Sequence, residues 1–324
     1  MNGGRIFSRH FSIFKPLIDL NKMKKIVIVA VAAFLALAPI SSVIAQGKAK
    51  AAKQKTIDQN SLLWKISGNG LSRPSYVFGT IHLICQEDFF WNPVMDATFK
   101  SVEKICMEMD MDDPQLQMSL AMGMIDKEGK KLSSYFKPED YEKLTAYASE
   151  RLKEVPVNVL DMMKPAAVWT TMIMLQYNCE TVKSYEVELV AKAKEQEKEI
   201  LDLETANEQL DFILGMPDAE VVAAINDMVQ GKGKAELDAQ FADMIRAYKK
   251  QELNQLYELS DQETAMKMDK VKFLDNRNKN WIPKMKDMMA QHSTFFAVGA
   301  AHLPGKGGVL QLLKAAGYTV EPVK

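Results

Sequence analysis

The sequence predicts an α/β protein: a mixed sheet assembled from the two ends of the exported chain, with a large helical insertion between them. Three observations carry that expectation. Short apolar strands occur near residues 61–84 and 102–111 and return only at 293–323. The stretch between about 138 and 291 reads almost entirely as helix. An apolar strand ending in Gly-x-x-His occurs in both terminal parts, as "YVFGTIHL" and as "FFAVGAAHL".

The elements follow in order. Met23, Lys24 and Lys25 precede an apolar run, then Pro39 and the small-residue sequence "SSVIAQG". A short basic region, an apolar core and a small-residue cleavage site predict a signal peptide over 23–45, with residues 1–22 an upstream mis-start. The expected destination is outside the cytoplasm, periplasmic or extracellular, with no stable membrane anchor after cleavage. Residues 46–58 are small and basic and read as a tether. One domain is expected over 59–324, built on roughly 280 exported residues. The formal net charge of -1 gives no electrostatic reason to expect nucleic acid as a partner.

"SLLWKISG" and "SYVFGTIHL" flank the turn-rich "NGLSRP" and predict a hairpin. Helical spacing covers 93–104, and "KICMEMDM" follows as a third strand. "PEDYEKLTAYASERLKEV" opens with proline and acids, a good helix start. "KPAAVWTTMIMLQYNC", "YEVELVAKAKEQEKEI", "PDAEVVAAINDMVQGKGK" and "AELDAQFADMIRAYKKQELNQLYEL" continue as helices. "STFFAVGAAH" is a strand, "GGVLQLLKAAG" a short helix stopped by glycine, and "YTVEPV" a closing strand. The three cysteines, Cys85, Cys106 and Cys179, permit one disulfide, but their apolar surroundings favour buried free thiols.

Beyond the leader three histidines remain, His82, His292 and His302. His82 and His302 each stand three residues after a glycine at the end of an apolar strand. A strand end delivers a side chain to the sheet edge, where open α/β folds keep their sites. Two such units facing each other as hairpins would bring the imidazoles together, and imidazole is the commonest ligand for borderline divalent metals. Glu108 is the expected third member. It lies in an apolar strand, where a charge is costly unless paired or metal-bound, and Asp110 would share its face. Glu186 and Glu204 are further candidates, with a solvated helix face as the plain alternative. Arg277 and Asn278, in "DNRNKNW", could hold a carbonyl oxygen or substrate backbone, or form a helix surface behind an N-cap. No nucleophile-elbow serine, phosphate loop, dinucleotide fingerprint or His-Glu-x-x-His occurs.

On "LLWKISG", "YVFGTIHL", "ICMEMD", "AKAKEQEKEILDLETANEQLDF", "NRNKNWIPKM" and "FFAVGAAHLPGKGGVLQLLKAAGYTVEPV" the chain resembles the TraB/PrgY/GumN family, which includes the Tiki proteins. The exported GumN-like branch is the most similar part. The resemblance implies two related halves, each with one Gly-x-x-His, and a divalent-metal hydrolase, with peptide cleavage assigned to the Tiki branch. His82, His302 and Glu108 fall on the family's functional positions, Glu204 on its "LET" glutamate, and Arg277 and Asn278 on its polar motif. Ser184 and Glu186 stand where members often carry Gly-x-Asp, and Glu197 replaces a usual glycine.

The function expected is metal-dependent hydrolysis of a peptide or protein substrate. His82, His302 and Glu108 would hold manganese, cobalt or zinc, while Glu108, Glu204, Arg277 and Asn278 would carry proton transfer and oxyanion stabilisation. The alternative is a non-catalytic peptide- or signal-binding protein, of the kind in the family's pheromone-inhibitor branch. Methionine-rich helices would then line its groove.

Overall fold

The computed structural model describes residues 60–324 apart from 154, 178 and 261–273. The expected signal peptide, upstream segment and tether lie outside the described residues.

The predicted hairpin forms from β1 (Leu63–Ser67) and β2 (Ser75–Thr80), antiparallel with Leu63 opposite Phe78. Helix α1 (Pro93–Ser101) has proline in its first turn, and the Asn92 side chain accepts from the backbone N–H of Met95. It leads into β4 (Lys104–Met107). The chain then enters a helical layer: α2 (Leu116–Met124), α3 (Pro138–Arg151), α4 (Val157–Leu160) and α5 (Pro165–Met174). Helices α6 (Tyr185–Glu195), α7 (Ala206–Leu214), α8 (Asp218–Val229), α9 (Lys234–Lys249) and α10 (Leu253–Ser260) follow. Last come α11 (Asn276–Gln291), β7 (Thr294–Gly299), α12 (Val309–Ala315) and β8 (Thr319–Pro322).

Two short strands inside the helical stretch correct its reading as continuous helix. The segment 185–200 is not one helix. α6 stops at Glu195, Glu197 takes a left-handed φ of 52° where relatives are expected to carry glycine, and β6 (Ile200–Asp202) follows. β6 adds to the main sheet beside β4, in parallel. β5 (Val182–Lys183) pairs with β3 (Ile84–Cys85) in a separate two-stranded ribbon. Both strands are too short for alternation to show in sequence.

The main sheet has the order β6-β4-β7-β2-β1-β8. β6, β4, β7 and β2 run parallel; on one flank β1 runs against them, and β8, antiparallel to β1, closes the edge. The two Gly-x-x-His units therefore do not face each other as hairpins. They lie on neighbouring parallel strands, with Thr80 opposite Gly299. Glycine is needed here: a Cβ on Gly79 would come within 3.0 Å of the Ala300 Cα and 2.9 Å of a Leu303 methyl.

Two apolar clusters divide the interior. One surrounds the sheet, with Phe78, Phe99, Phe295 and Phe296; the other joins the helices, with Leu144, Trp169, Met172 and Ile225. Many methionines serve as filler, Met163, Met172, Met285 and Met289 among them. The chain crosses between the clusters at Glu108, since Met107 belongs to the first and Met109 to the second.

The cysteine expectation is also corrected. Cys85 and Cys179 form a disulfide, with 5.8 Å between their Cα atoms, and Cys106 alone is a buried free thiol. The bond closes a long loop beside the β3–β5 ribbon, a pairing that sequence order cannot reveal. A disulfide typically stabilises by about 2–4 kcal/mol. Cys85→Ser with Cys179→Ser should therefore unfold at lower denaturant, by about that much, and lose its response to reductant. Cys106→Ala should keep that response; equilibrium urea unfolding with and without reductant reads the difference.

Candidate functional site

The parallel strands converge on one edge. His82 follows β2, Glu108 follows β4, Glu204 follows β6 and His302 follows β7, each one to three residues beyond the strand end. Strand carboxyl ends are where α/β sheets collect polar groups, because the chain there leaves the ladder and can turn a side chain inward. Arg277 and Asn278 come from the first turn of α11. All six side chains belong to buried residues.

Glu108 and Asp110 do not share a strand face. β4 ends at Met107, and the Glu108 carbonyl accepts from the N–H groups of Leu203 and Glu204 as the chain turns away. Glu108 is buried and Asp110 is half-buried. Burial raises the Asp110 carboxyl to about 6, helped by Asp112. Glu186 and Glu204 are not solvated helix faces either; both are about 5% exposed or less. Nor do Arg277 and Asn278 form a helix surface, and Asp275 provides no side-chain cap.

Arg277 is the centre of the network. Its Nη2 donates to Glu108 Oε2 at 2.6 Å and to Glu204 Oε1, its Nε donates to Glu204 Oε2 at 2.9 Å, and its Nη1 lies 3.1 Å from His302 Nε2. The guanidinium also sits 4.9 Å from the centroid of the Trp281 ring, whose Nε1 donates to Glu204 Oε2. Gly299 N–H donates to Glu108 Oε1 at 2.8 Å. Gln209 Nε2 donates to both carboxylates, at 3.1 Å each. Sequence reading missed Gln209; a single amide on a helix carries no signal until the fold brings it between two acids.

Each imidazole is oriented from behind. His82 Nδ1 lies 2.8 Å from Glu186 Oε1, which also accepts from the Thr80 hydroxyl at 2.8 Å; Ser184 Oγ donates to the other oxygen. His302 Nδ1 lies 2.6 Å from Asn278 Oδ1. The Asn278 amide nitrogen is spent on the carbonyls of His302 and Gly307. Its carbonyl oxygen must then accept, so the proton sits on His302 Nδ1 and the Nε2 lone pair is free for Arg277. Asn278 is thus an orienting group for His302. Glu186 plays the same part for His82, and the Cys85–Cys179 bond ties together the segments that carry this pair.

His82 Nε2 and the Cδ2 edge of His302 approach Gly299. A Cβ there would lie 3.1 Å from His82 Nε2, 3.4 Å from Glu108 Oε1 and 3.6 Å from His302 Cδ2. His302 Nε2 is 3.9 Å from Glu108 Oε1. The missing side chain keeps open the space that these three groups surround.

The electrostatics are unequal across the network. Burial opposes the Glu108 charge, but Arg277, the two histidines and the Gly299 N–H outweigh it and hold the carboxyl at about 2. Burial dominates at Glu204 and pushes it up, with the Glu108 charge adding to burial and Arg277 acting against them. Burial, followed by Arg277, lowers His302 to about 3, so it is neutral. Burial disfavours the Arg277 charge, yet the two carboxylates more than restore it.

An α/β fold with a buried ionic centre on the carboxyl edge of its parallel strands defines the class. The chain belongs to the TraB/PrgY/gumN family, whose model matches residues 62–322. It is 25% identical to Metalloprotease TIKI1 of Xenopus tropicalis, over 82% of this chain and 62% of that protein. It is 23% identical to Metalloprotease TIKI2 of Danio rerio, over 82% and 61%. The chain thus spans less than two thirds of the curated relatives it matches. No solved structure matches it.

Two predictions follow from the network. Arg277→Ala would leave two carboxylates buried without a cation, at a cost of about 3–5 kcal/mol; Glu204→Gln in the same chain should recover part of it, read by urea unfolding. His302 takes a proton near pH 6.5 when unfolded but only near 3 when folded. The unfolded state therefore binds more protons between those values, and stability falls as pH drops from 6.5 toward 3. The slope from this group is at most about 1.4 kcal/mol per pH unit. Thermal melts in chelator should show a shallower acid decline for His302→Asn than for wild type between pH 7 and 5.

Proposed function

We propose that the chain is an exported metal-dependent hydrolase that cleaves a peptide or protein substrate, with the ionic centre as its active site. The single observation that carries this reading is the pair of imidazoles. Each is held at Nδ1 by an oxygen, Glu186 for one and Asn278 for the other, and both rings border the space at Gly299 beside Glu108, with His302 Nε2 3.9 Å from Glu108 Oε1. A carboxylate or amide oxygen behind a ligating histidine fixes its tautomer and aims the lone pair, the usual second partner at metal centres. The similarity to two metalloproteases supports the same reaction class.

Glu108 and Glu204 face one guanidinium, so the buried network has a surplus of negative charge when both are ionised. The donors are two imidazole nitrogens and one carboxylate, a set suited to manganese, cobalt or zinc. Among the described residues no three His, Cys, Asp or Glu side chains stand close enough to hold an ion as they are placed. Arg277 explains the spacing, because it takes up the His302 Nε2 lone pair and a Glu108 oxygen. An ion held by His82, His302 and Glu108 would compete with Arg277 for those atoms. When bound, it would supply an activated water and polarise the scissile carbonyl.

The remaining roles belong to the chain. Glu108, held at about 2, is a weak base and suits cation binding. Glu204, pushed up by burial, is the better proton acceptor. Arg277, released from His302, faces the oxygen that gains charge during carbonyl attack. Asn278 and Glu186 keep the imidazoles in register. Among the described residues no helix is long and apolar enough to cross a membrane; export itself rests on the leader sequence.

One observation favours a non-catalytic binding protein instead: the Arg277 network is closed, with every oxygen of Glu108 and Glu204 already accepting a hydrogen bond. Metal titration by calorimetry separates the two. Wild type should bind one manganese or zinc per chain, His82→Ala and His302→Ala should lose it, and Glu186→Gln should weaken it about 10–100-fold. A peptide library followed by mass spectrometry should then show fragments that disappear in the histidine variants. Equal metal binding in all variants, or peptide retained uncut in stoichiometric amounts, would favour the binding protein.

A further inference from the structure

His82 and Glu186 reach their 2.8 Å contact through one small element. His82 stands just ahead of β3, and Glu186 just beyond β5, in the first turn of α6. These two strands pair only with each other, Ile84 opposite Lys183 and Cys85 opposite Val182. The Gln86 N–H donates to the Thr181 carbonyl at 2.9 Å and extends the ribbon. A two-stranded ribbon is marginal by itself. Leu83, between His82 and β3, packs in a satellite contact with Met174 and Tyr177, outside both main clusters.

The Cys85–Cys179 bond closes the outer end of this ribbon. Both cysteines are half-buried, and Gln86, Glu180, Thr181 and Val182 beside them are exposed. At the inner end Ser184 and Glu186 are buried. Disulfides at exposed positions are the ones thiol reductants open, whereas structural ones resist. His302 has no such dependence. Its partner Asn278 stands on the long helix α11 and is fixed by the carbonyls of His302 and Gly307.

We propose that the Cys85–Cys179 bond is a redox control on the His82 side of the ionic centre. A dithiol reductant opens it by exchange. One reductant thiolate attacks a cysteine sulfur and forms a mixed disulfide, releasing the other cysteine as a thiolate. The second reductant thiol then displaces the first cysteine. Two electrons and two protons end on Cys85 and Cys179, and the reductant leaves as its own disulfide. The ribbon then loosens, Glu186 loses its hold on His82, and the ring is no longer aimed. The consequence for cation binding rests on the hydrolase reading; the loss of the His82–Glu186 contact does not.

The test uses the full exported chain with chelator and labelled histidine, and follows the imidazole Nδ1–H resonances by nuclear magnetic resonance. His82→Ala and His302→Ala identify the two signals by their disappearance. Dithiothreitol should erase or shift the His82 signal, leave the His302 signal in place, and act reversibly on reoxidation. Cys85→Ser with Cys179→Ser should show the reduced pattern without reductant, and Cys106→Ala should behave as wild type. Manganese should bind the double serine variant about 10-fold more weakly than wild type, as expected when the group behind a ligating histidine is lost. A His82 signal unchanged after full reduction would overturn the proposal. So would a bond that excess dithiothreitol leaves intact in the folded protein, or loss of both histidine signals together, which means general unfolding. Failure of wild type to bind manganese would overturn the hydrolase reading alone, because the His82 signal decides the redox control without metal.

Discussion

One guanidinium sets the architecture of the polar centre. Arg277 is 4% exposed and holds Glu108 and Glu204, which come from the ends of β4 and β6. Its stem rises from α11, which also supplies Trp281 beneath it and Asn278 beside it. Two carboxylates at the seam of two apolar clusters could not stay ionised without a cation of this reach and shape. Five N–H donors in a planar fork match several acceptors at once, which a lysine could not do. The strand ends, the last long helix and the final Gly-x-x-His unit are therefore tied through one side chain.

Around that point the molecule separates duties. The sheet fixes where the polar groups of the centre begin, because hydrogen-bonded parallel strands allow little freedom in register. Outer partners fix where they aim: Glu186, Thr80 and Ser184 behind His82, Asn278 behind His302, and Gln209 between the acids. The glycines keep space. Gly79 lets β2 approach the turn after β7, and Gly299 leaves the gap that the two imidazoles border. The disulfide holds the His82 and Glu186 segments together from outside the sheet. Glu186 places a carboxylate behind His82, and Ser184 adds a hydroxyl that caps α6 and steadies the acid.

Much of this was legible in the residues. The hairpin, the third strand, the returning strand with its glycine and histidine, and the closing helix and strand follow from apolar runs punctuated by turn residues. The repeated Gly-x-x-His, the costly Glu108 and the dense "DNRNKNW" cluster marked chemistry because local pattern makes such residues expensive or improbable. β5 and β6, at two and three residues, left no periodicity to read. Gln209 and the cysteine pairing depend on contacts between segments about a hundred residues apart, which no local pattern encodes.

By itself the sequence determined the mixed α/β class, the two histidines, and the acids and arginine that accompany them, since composition and period bear directly on burial. Tertiary structure alone decided that the two units are parallel neighbours, that Asn278 and Glu186 serve the imidazoles, and that Arg277 stands between the acids and His302. The physical reason is that a charge or a ring nitrogen acquires its role from what lies within about 3 Å, at hydrogen-bond distance. In this chain those neighbours arrive from distant strands and helices.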